Sequence, residues 1–282
     1  MLVSLAAEGR LALTDPLQRF APDGTRVPTF GAHRITLFDL ATHSAALPHE
    51  MGQAPEGVNP RAWPTRDDRW TWLPGYALPW APGTVAAYFN VGFDLLADAI
   101  EAAGGQPYPD LLRSRVTGPL GMADTVLAPT PEQCARLMVG TGLGGAASCA
   151  DTRATEGSGG LYSTGNDMAR WLRHHLADDD GGGVLALGHA VYRQRQSMPA
   201  ALGFDEAAPM AGLGLGWVLV AAEGIQPMIL EKSGGGAGFM SYVAFAPGRG
   251  VGVFVAVNRV DFPMFFALTD AGYKLIASLV TR

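Results

Sequence analysis

Beyond about residue 210 the apolar residues of this 282-residue chain change their period. Up to that point they recur three and four apart. Afterwards they fill short runs at 213–221, 227–232, 239–246 and 250–257, each of strand length. Pro247-Gly248-Arg249-Gly250 joins the last two runs and fits a turn between antiparallel neighbours. Four such runs in succession make a meander, and an amphipathic helix at 264–279 would cover one of its faces. The expected class is α+β: an antiparallel sheet flanked by helices, plus a helical lobe. No internal repeat and no low-complexity linker interrupts the chain. Residues 1–282 therefore read as one domain, with a helical lobe over about 1–210 and a sheet lobe over about 211–282.

In the helical part, 90–103 is the clearest element, with Phe93, Leu95, Leu96, Ala99 and Ile100 on helical spacing and Gly104-Gly105 as the stop. A second helix is expected over 109–116. A Thr164 to Asp167 capping box opens another through Met168, Trp171, Leu172 and Leu176, stopped by 178–183. Residues 1–9 read as the last turns of a helix ending on Gly9. Thr14-Asp15-Pro16-Leu17 reads as a helix start, and 35–41 as a short helix led by Thr36. The stretch 48–82 reads as irregular. Its Trp63, Trp70, Trp72 and Trp80 suggest a packed wall, or a wall of a substrate groove.

Composition narrows the function classes. Hydrophobic residues make up 48% and charged residues 16%, which excludes a disordered chain. The net charge is -6 and the basic residues are scattered, so nucleic acid is not an expected partner. No apolar run reaches the roughly 18 residues of a membrane span. The opening residues have no basic start and meet Glu8 early, so the chain as written reads as cytoplasmic, without a signal peptide. With 37 glycines a G-x-G-x-x-G match is cheap; the one at Gly140, Gly142 and Gly145 follows no strand and is set aside. His49-Glu50 has no partner His for a zinc motif, Cys134 and Cys149 lack C-x-x-C spacing, and no G-x-S-x-G occurs. Neither a metal nor a cofactor is expected.

The chain has two lysines, Lys232 and Lys274, so a lysine-bearing motif is informative. Lys232-Ser233-Gly234 ends a predicted strand, where a strand edge can hold a peptide backbone and an ammonium can anchor a carboxylate. Tyr88-Phe89-Asn90 stands just ahead of the strongest helix. A tyrosine titrates near 10, so it serves as a base at neutral pH only beside a cation. Taken singly, Tyr88 reads as a half-buried tyrosine, Asn90 as a helix cap and Lys232 as a surface charge.

Order along the chain favours the functional reading. Residues 82–93 carry a Y-x-N segment, 118–125 read Gly-Pro-Leu-Gly-Met-Ala-Asp-Thr, and 159–164 read Gly-Gly-Leu-Tyr-Ser-Thr. Residues 40–48 match L-x-T-H-x-x-G-L-P except that Ala46 replaces the glycine. These segments resemble the serine β-lactamase and penicillin-binding-protein family in its class C branch, over essentially the whole chain. The Ala-Thr-His segment, 133–138 and the Lys-Ser-Gly-Gly-Gly form of the third motif look most like AmpH-type D-alanyl-D-alanine carboxypeptidase/endopeptidases.

The resemblance implies a β-lactamase/transpeptidase-like fold and a serine acyl-transfer hydrolase acting on a D-alanyl peptide or a β-lactam. It makes Tyr88 the general base or proton relay, Lys232 the cation that tunes it, and Asn90 a ligand of the substrate amide. Ser233 and Gly234 would face the substrate, and the Gly235 N–H would be an oxyanion donor. Phe89, where the family has a small residue, would narrow the groove or shift Tyr88. His43 would be structural. Family members work in the periplasm, which favours a Cys134–Cys149 bond in an exported form over two free thiols.

The family nucleophile sits in Ser-x-x-Lys. Residues three before the two lysines are Ile229 and Ala271, so the chain contains no such motif. By the resemblance, the serine belongs about ten residues ahead of Met1, on the helix whose tail is read at 2–7, and the leading strands would be missing with it. The chain as written is therefore expected to be inactive. The competing readings are a non-catalytic module binding cell-wall peptide and an unstable gene fragment with an open sheet edge.

Overall fold

The computed structural model describes residues 1–142, 149–177, 183–204, 208–222, 224 and 227–280; the side chains of residues 61 and 280 are outside that description. Gly145 of the discarded glycine motif and 178–182, read as a helix stop, also lie outside it.

Six antiparallel strands form the main sheet: β1 (Arg193–Gln194), β2 (Met210–Leu213), β3 (Val218–Val220), β4 (Ile229–Gly236), β5 (Phe239–Ala246) and β6 (Val251–Val257). They lie in the order β6-β5-β4-β3-β2-β1, a meander extended by one strand from ahead of residue 211. The run expected as a single strand over 213–221 is a hairpin. Gly214 N–H donates to the Trp217 carbonyl at 2.9 Å and Gly216 takes φ 83°, so the apolar run folds back on itself. At the β4–β5 turn, Ala237 and Gly238 take φ 59° and 80°, the paired left-handed conformation that matches strand twist.

Alternation along β5 divides the sheet's two faces. Tyr242, Ala244 and Ala246 pack with Phe265 and Ile276 of the C-terminal helix Phe262–Val280. Phe245 packs on the other face with Leu172, Leu219 and Leu230. Leu172 belongs to the helix Gly165–His175, and a Cβ at Gly252 would sit 2.9 Å from it, so that close approach needs the glycine. Among the described residues no strand pairs with the outer edge of β6.

The helical part has its own core. Leu5 of α1 (Leu2–Ala7), Leu37 and Leu40 of α2 (Leu37–Ala41), and Leu95 pack with Leu17, Ile35 and Leu73, all fully buried. Thr36 and Asp39 close a capping box on α2. The start expected at Thr14 makes only a 3₁₀ turn, Leu17–Phe20. The region expected to be irregular contains α3 (Arg66–Trp72), opened by a Thr65–Asp68 capping box. Trp70 of that helix is core, whereas Trp80 lies beside Tyr88 in the groove described below. The helix α4 (Val91–Gly104) ends with Gly105 at φ 66°. The helix expected over 109–116 is an α turn, Tyr108–Leu112, followed by a π turn, Arg113–Thr117. Cys134 and Cys149 form a disulfide.

One polar knot is buried inside this lobe. Arg69, 1% exposed, donates to Asp98 through Nη2 (2.9 Å) and Nε (3.3 Å) and to the carbonyls of Pro64 (2.9 Å) and Ala154 (2.6 Å). Asp94 accepts from Gly157 N–H, Ser158 N–H and the Ser158 hydroxyl, and burial raises it to about 6. The knot ties α3 and α4 to residues 154–158 and fixes the direction in which α4 leaves the Tyr88 segment.

Candidate active site

Two short parallel segments set Tyr88 in place. Ala86-Ala87 pair with Ala201-Leu202, and Tyr88 N–H donates to the Leu202 carbonyl at 2.9 Å. From the other side His43 holds the same segment twice: its carbonyl accepts Ala87 N–H at 2.8 Å and its Nδ1 accepts Phe89 N–H at 3.2 Å. The His43 ring is 4.6 Å from the Tyr88 ring and is closed in by Phe89, Phe93 and Phe204. Burial, then the nearby Lys232 and His49, drives the His43 pKa well below its ordinary 6.5. A neutral imidazole with Nδ1 accepting is a positioning group rather than a proton carrier at neutral pH.

Tyr88 and Lys232, distant in the chain, meet here. The Lys232 Nζ lies over the Tyr88 ring, 4.2 Å from its centroid. The contact sets a cation against the tyrosine ring, and a cation close by is what a tyrosine base requires. The Tyr88 hydroxyl donates to Asn90 Oδ1 at 3.1 Å. Asn90 stands at the cap position of α4 but its side chain makes no capping bond; its Nδ2 donates instead to Glu50 Oε1 at 2.5 Å. The plain helix-cap reading of Asn90 is therefore wrong.

Phe89 does not narrow the groove. It is 1% exposed and turned into the helical core, lying over Gly92, where an added Cβ would fall 2.1 Å from its ring. Glycine at the second position of the helix gives the large ring its place.

Ser233, Gly234 and Gly235 follow Lys232 along β4, in register with Tyr242, Ser241 and Met240 of β5. Pairing of β4 with β3 ends at Glu231 opposite Val218, so 232–236 run past the neighbouring strand. A strand that outruns its neighbour can accept an extended peptide backbone. Beside Tyr88 a cavity of about 440 Å³ opens among Pro48, His49, Tyr76, Trp80 and Leu202. Arg193 braces this wall: its guanidinium donates to Asp39 (2.8 Å), the Gly83 carbonyl (2.8 Å) and the Thr42 hydroxyl (2.9 Å). Neither Glu50 nor Arg193 lies in a motif that marks it in the sequence; His49-Glu50 there fits only an incomplete zinc pattern.

The β-lactamase family profile matches residues 1–278. The chain belongs to the β-lactamase family. A curated member, the D-alanyl-D-alanine-carboxypeptidase/endopeptidase AmpH of Escherichia coli K12, is 43% identical over 284 residues, spanning 99% of this chain and 72% of the relative. Penicillin-binding protein 4 of Amycolatopsis lactamdurans is 30% identical over 70% of this chain and 53% of its own length. Among solved structures, a β-lactamase/D-alanine carboxypeptidase from Yersinia pestis superposes with a TM-score of 0.91 at 42% identity, covering 99% of this chain and 80% of that one. A class C β-lactamase at 18% identity superposes with a TM-score of 0.77 and shares the fold. In this family setting, the Tyr88, Asn90, Lys232 and β4-edge cluster is the candidate active site.

Proposed function

We propose that the site recognises a D-alanyl peptide or a β-lactam as an acyl donor, with Tyr88 as proton relay and Lys232 as the cation that tunes it. Asn90 holds the substrate amide, the 233–235 edge takes the substrate backbone, and Gly235 N–H serves the oxyanion. The observation that carries this reading is the Lys232 ammonium 4.2 Å over the Tyr88 ring, with Asn90 one hydrogen bond away. The 43% identity to a D-alanyl-D-alanine carboxypeptidase/endopeptidase supports the peptide branch.

A second part of the proposal concerns what these residues do without a nucleophile. No serine stands three before Lys232 or Lys274, where Ile229 and Ala271 are found, so the polypeptide of these 282 residues binds an acyl donor without opening it. In a serine hydrolase, loss of the nucleophile lowers turnover by about a millionfold while binding groups persist. We take the chain as one domain of a family whose full-length members work in the periplasm, a setting with which the Cys134–Cys149 bond agrees. No helix among the described residues is long and apolar enough to cross a membrane.

Calorimetric titration with an acetylated D-alanyl-D-alanine peptide tests the binding half. Lys232→Met is expected to weaken binding roughly 10- to 100-fold, the usual worth of a hydrogen bond to a charged group. Unchanged affinity in that variant would remove Lys232 from the site and the proposal with it.

A further inference from the structure

Glu50 has no part in the acyl-transfer scheme above, yet it is built into the site. Its Oε1 accepts Asn90 Nδ2 at 2.5 Å, Asn90 Oδ1 accepts the Tyr88 hydroxyl at 3.1 Å, and the Tyr88 ring carries the Lys232 ammonium at 4.2 Å. The four side chains run in order from carboxylate through amide and phenol to ammonium, so the site has a negative end and a positive end. At the negative end Glu50 is solvent-exposed, and among the described residues no arginine or lysine pairs with it. His49, the residue before it, lines the 440 Å³ cavity, which leaves room for a ligand side chain at that end.

A carboxylate anchored by one oxygen, with no cation paired to it among the described residues, presents its field to whatever occupies the groove. The arrangement is complementary to a ligand that is itself zwitterionic, carrying its carboxylate toward Lys232 and a positive charge toward Asn90. We propose that Glu50 is a specificity-determining residue: it selects acyl donors that bear a free ammonium on the acyl side, a D-alanyl peptide with an amine-bearing side chain rather than a neutral one. The proposal rests on the acyl-donor reading and adds the charge of the substrate to it. Because Asn90 spends one N–H on Glu50, the same contact fixes which way the Asn90 amide faces, so charge selection and amide orientation come from one side chain.

The test compares two probes, Nα-acetyl-lysyl-D-alanyl-D-alanine with its ε-amine free and the same peptide with that amine acetylated, titrated into the full chain and into Glu50→Gln. The glutamine keeps an oxygen for Asn90 and removes only the charge. The chain as it stands is expected to bind the free-amine peptide roughly fivefold more tightly, a preference that shrinks in 0.5 M salt. In Glu50→Gln the ratio is expected to fall to about one, while Asp67→Asn, which removes the same charge from exposed α3, keeps the fivefold ratio. Equal affinities in the unsubstituted chain, or a preference that survives in Glu50→Gln, would overturn the role of Glu50 and leave the acyl-donor reading standing. Failure of both peptides to bind would overturn the acyl-donor reading itself, and the Glu50 role with it.

Discussion

Replacing Arg69 with alanine is expected to lower the unfolding free energy by about 3–5 kcal/mol, the range found when one partner of a buried ion pair is removed. Arg69 and Asp98 are 1% and 2% exposed at the side chain, so neither can turn to water when the other is lost. Burial already raises the Asp98 pKa, and Arg69 is the first group that pulls it back. Asp94, raised to about 6 by burial, is also lowered by Arg69. Without the guanidinium both carboxyls bind protons more tightly in the folded state than in the unfolded one. A carboxyl raised in this way destabilises the fold as pH rises through its folded value, so the loss should be larger at pH 8 than at pH 5. Urea melts at the two pH values measure this directly. A loss below about 1 kcal/mol at pH 8 would show that the knot is not a structural tie.

The second large effect is acid destabilisation through histidine. His175 is pushed down to about 3, first by burial and then by His189 and His174. Its Nδ1 lies 2.8 Å from His189 Nε2. The sign follows from proton counting. Below about pH 6.5 the unfolded histidine binds a proton that the folded one refuses, so the stability present above that pH is lost on acidification, at about 1.4 kcal/mol per pH unit toward pH 3. His43, held neutral by burial, acts in the same direction. Asp94, together with Glu156, which burial and neighbouring carboxylates raise to about 8, acts in the opposite direction: their contribution is present in acid and lost as pH rises. Total stability against pH therefore mixes opposing terms, and the comparison of slopes isolates one. Between pH 6 and 4, His175→Gln should show a slope shallower than the parent by about 1.4 kcal/mol per pH unit. Parallel slopes would mean that His175 is protonated in the fold.

What the sequence could and could not show divides by range. α4 was legible because its apolar spacing and Gly105 are local signals. α2 and its Thr36 cap were legible for the same reason. α3 was hidden among prolines and tryptophans, although the Thr65–Asp68 capping box that opens it is itself a local signal. The β2–β3 hairpin was missed because an unbroken apolar run outweighed Gly214 and Gly216, whose conformations make the turn. Phe89 was misread because the space that receives it belongs to Gly92, a relation of packing rather than of pattern. No period or spacing brings Tyr88 to Lys232; family resemblance alone pointed to that contact. Glu50 carried a signal only in hindsight, as an acid placed just after the Leu-Pro of the fourth family segment.

The most direct test of the account is the mass of the chain after incubation with a penicillin, recorded once under native and once under denaturing conditions. A site that holds the acyl donor without attacking it retains the added mass in the native spectrum and releases it on denaturation, and this is the predicted result. Added mass that persists after denaturation and maps to a serine of these 282 residues would contradict it.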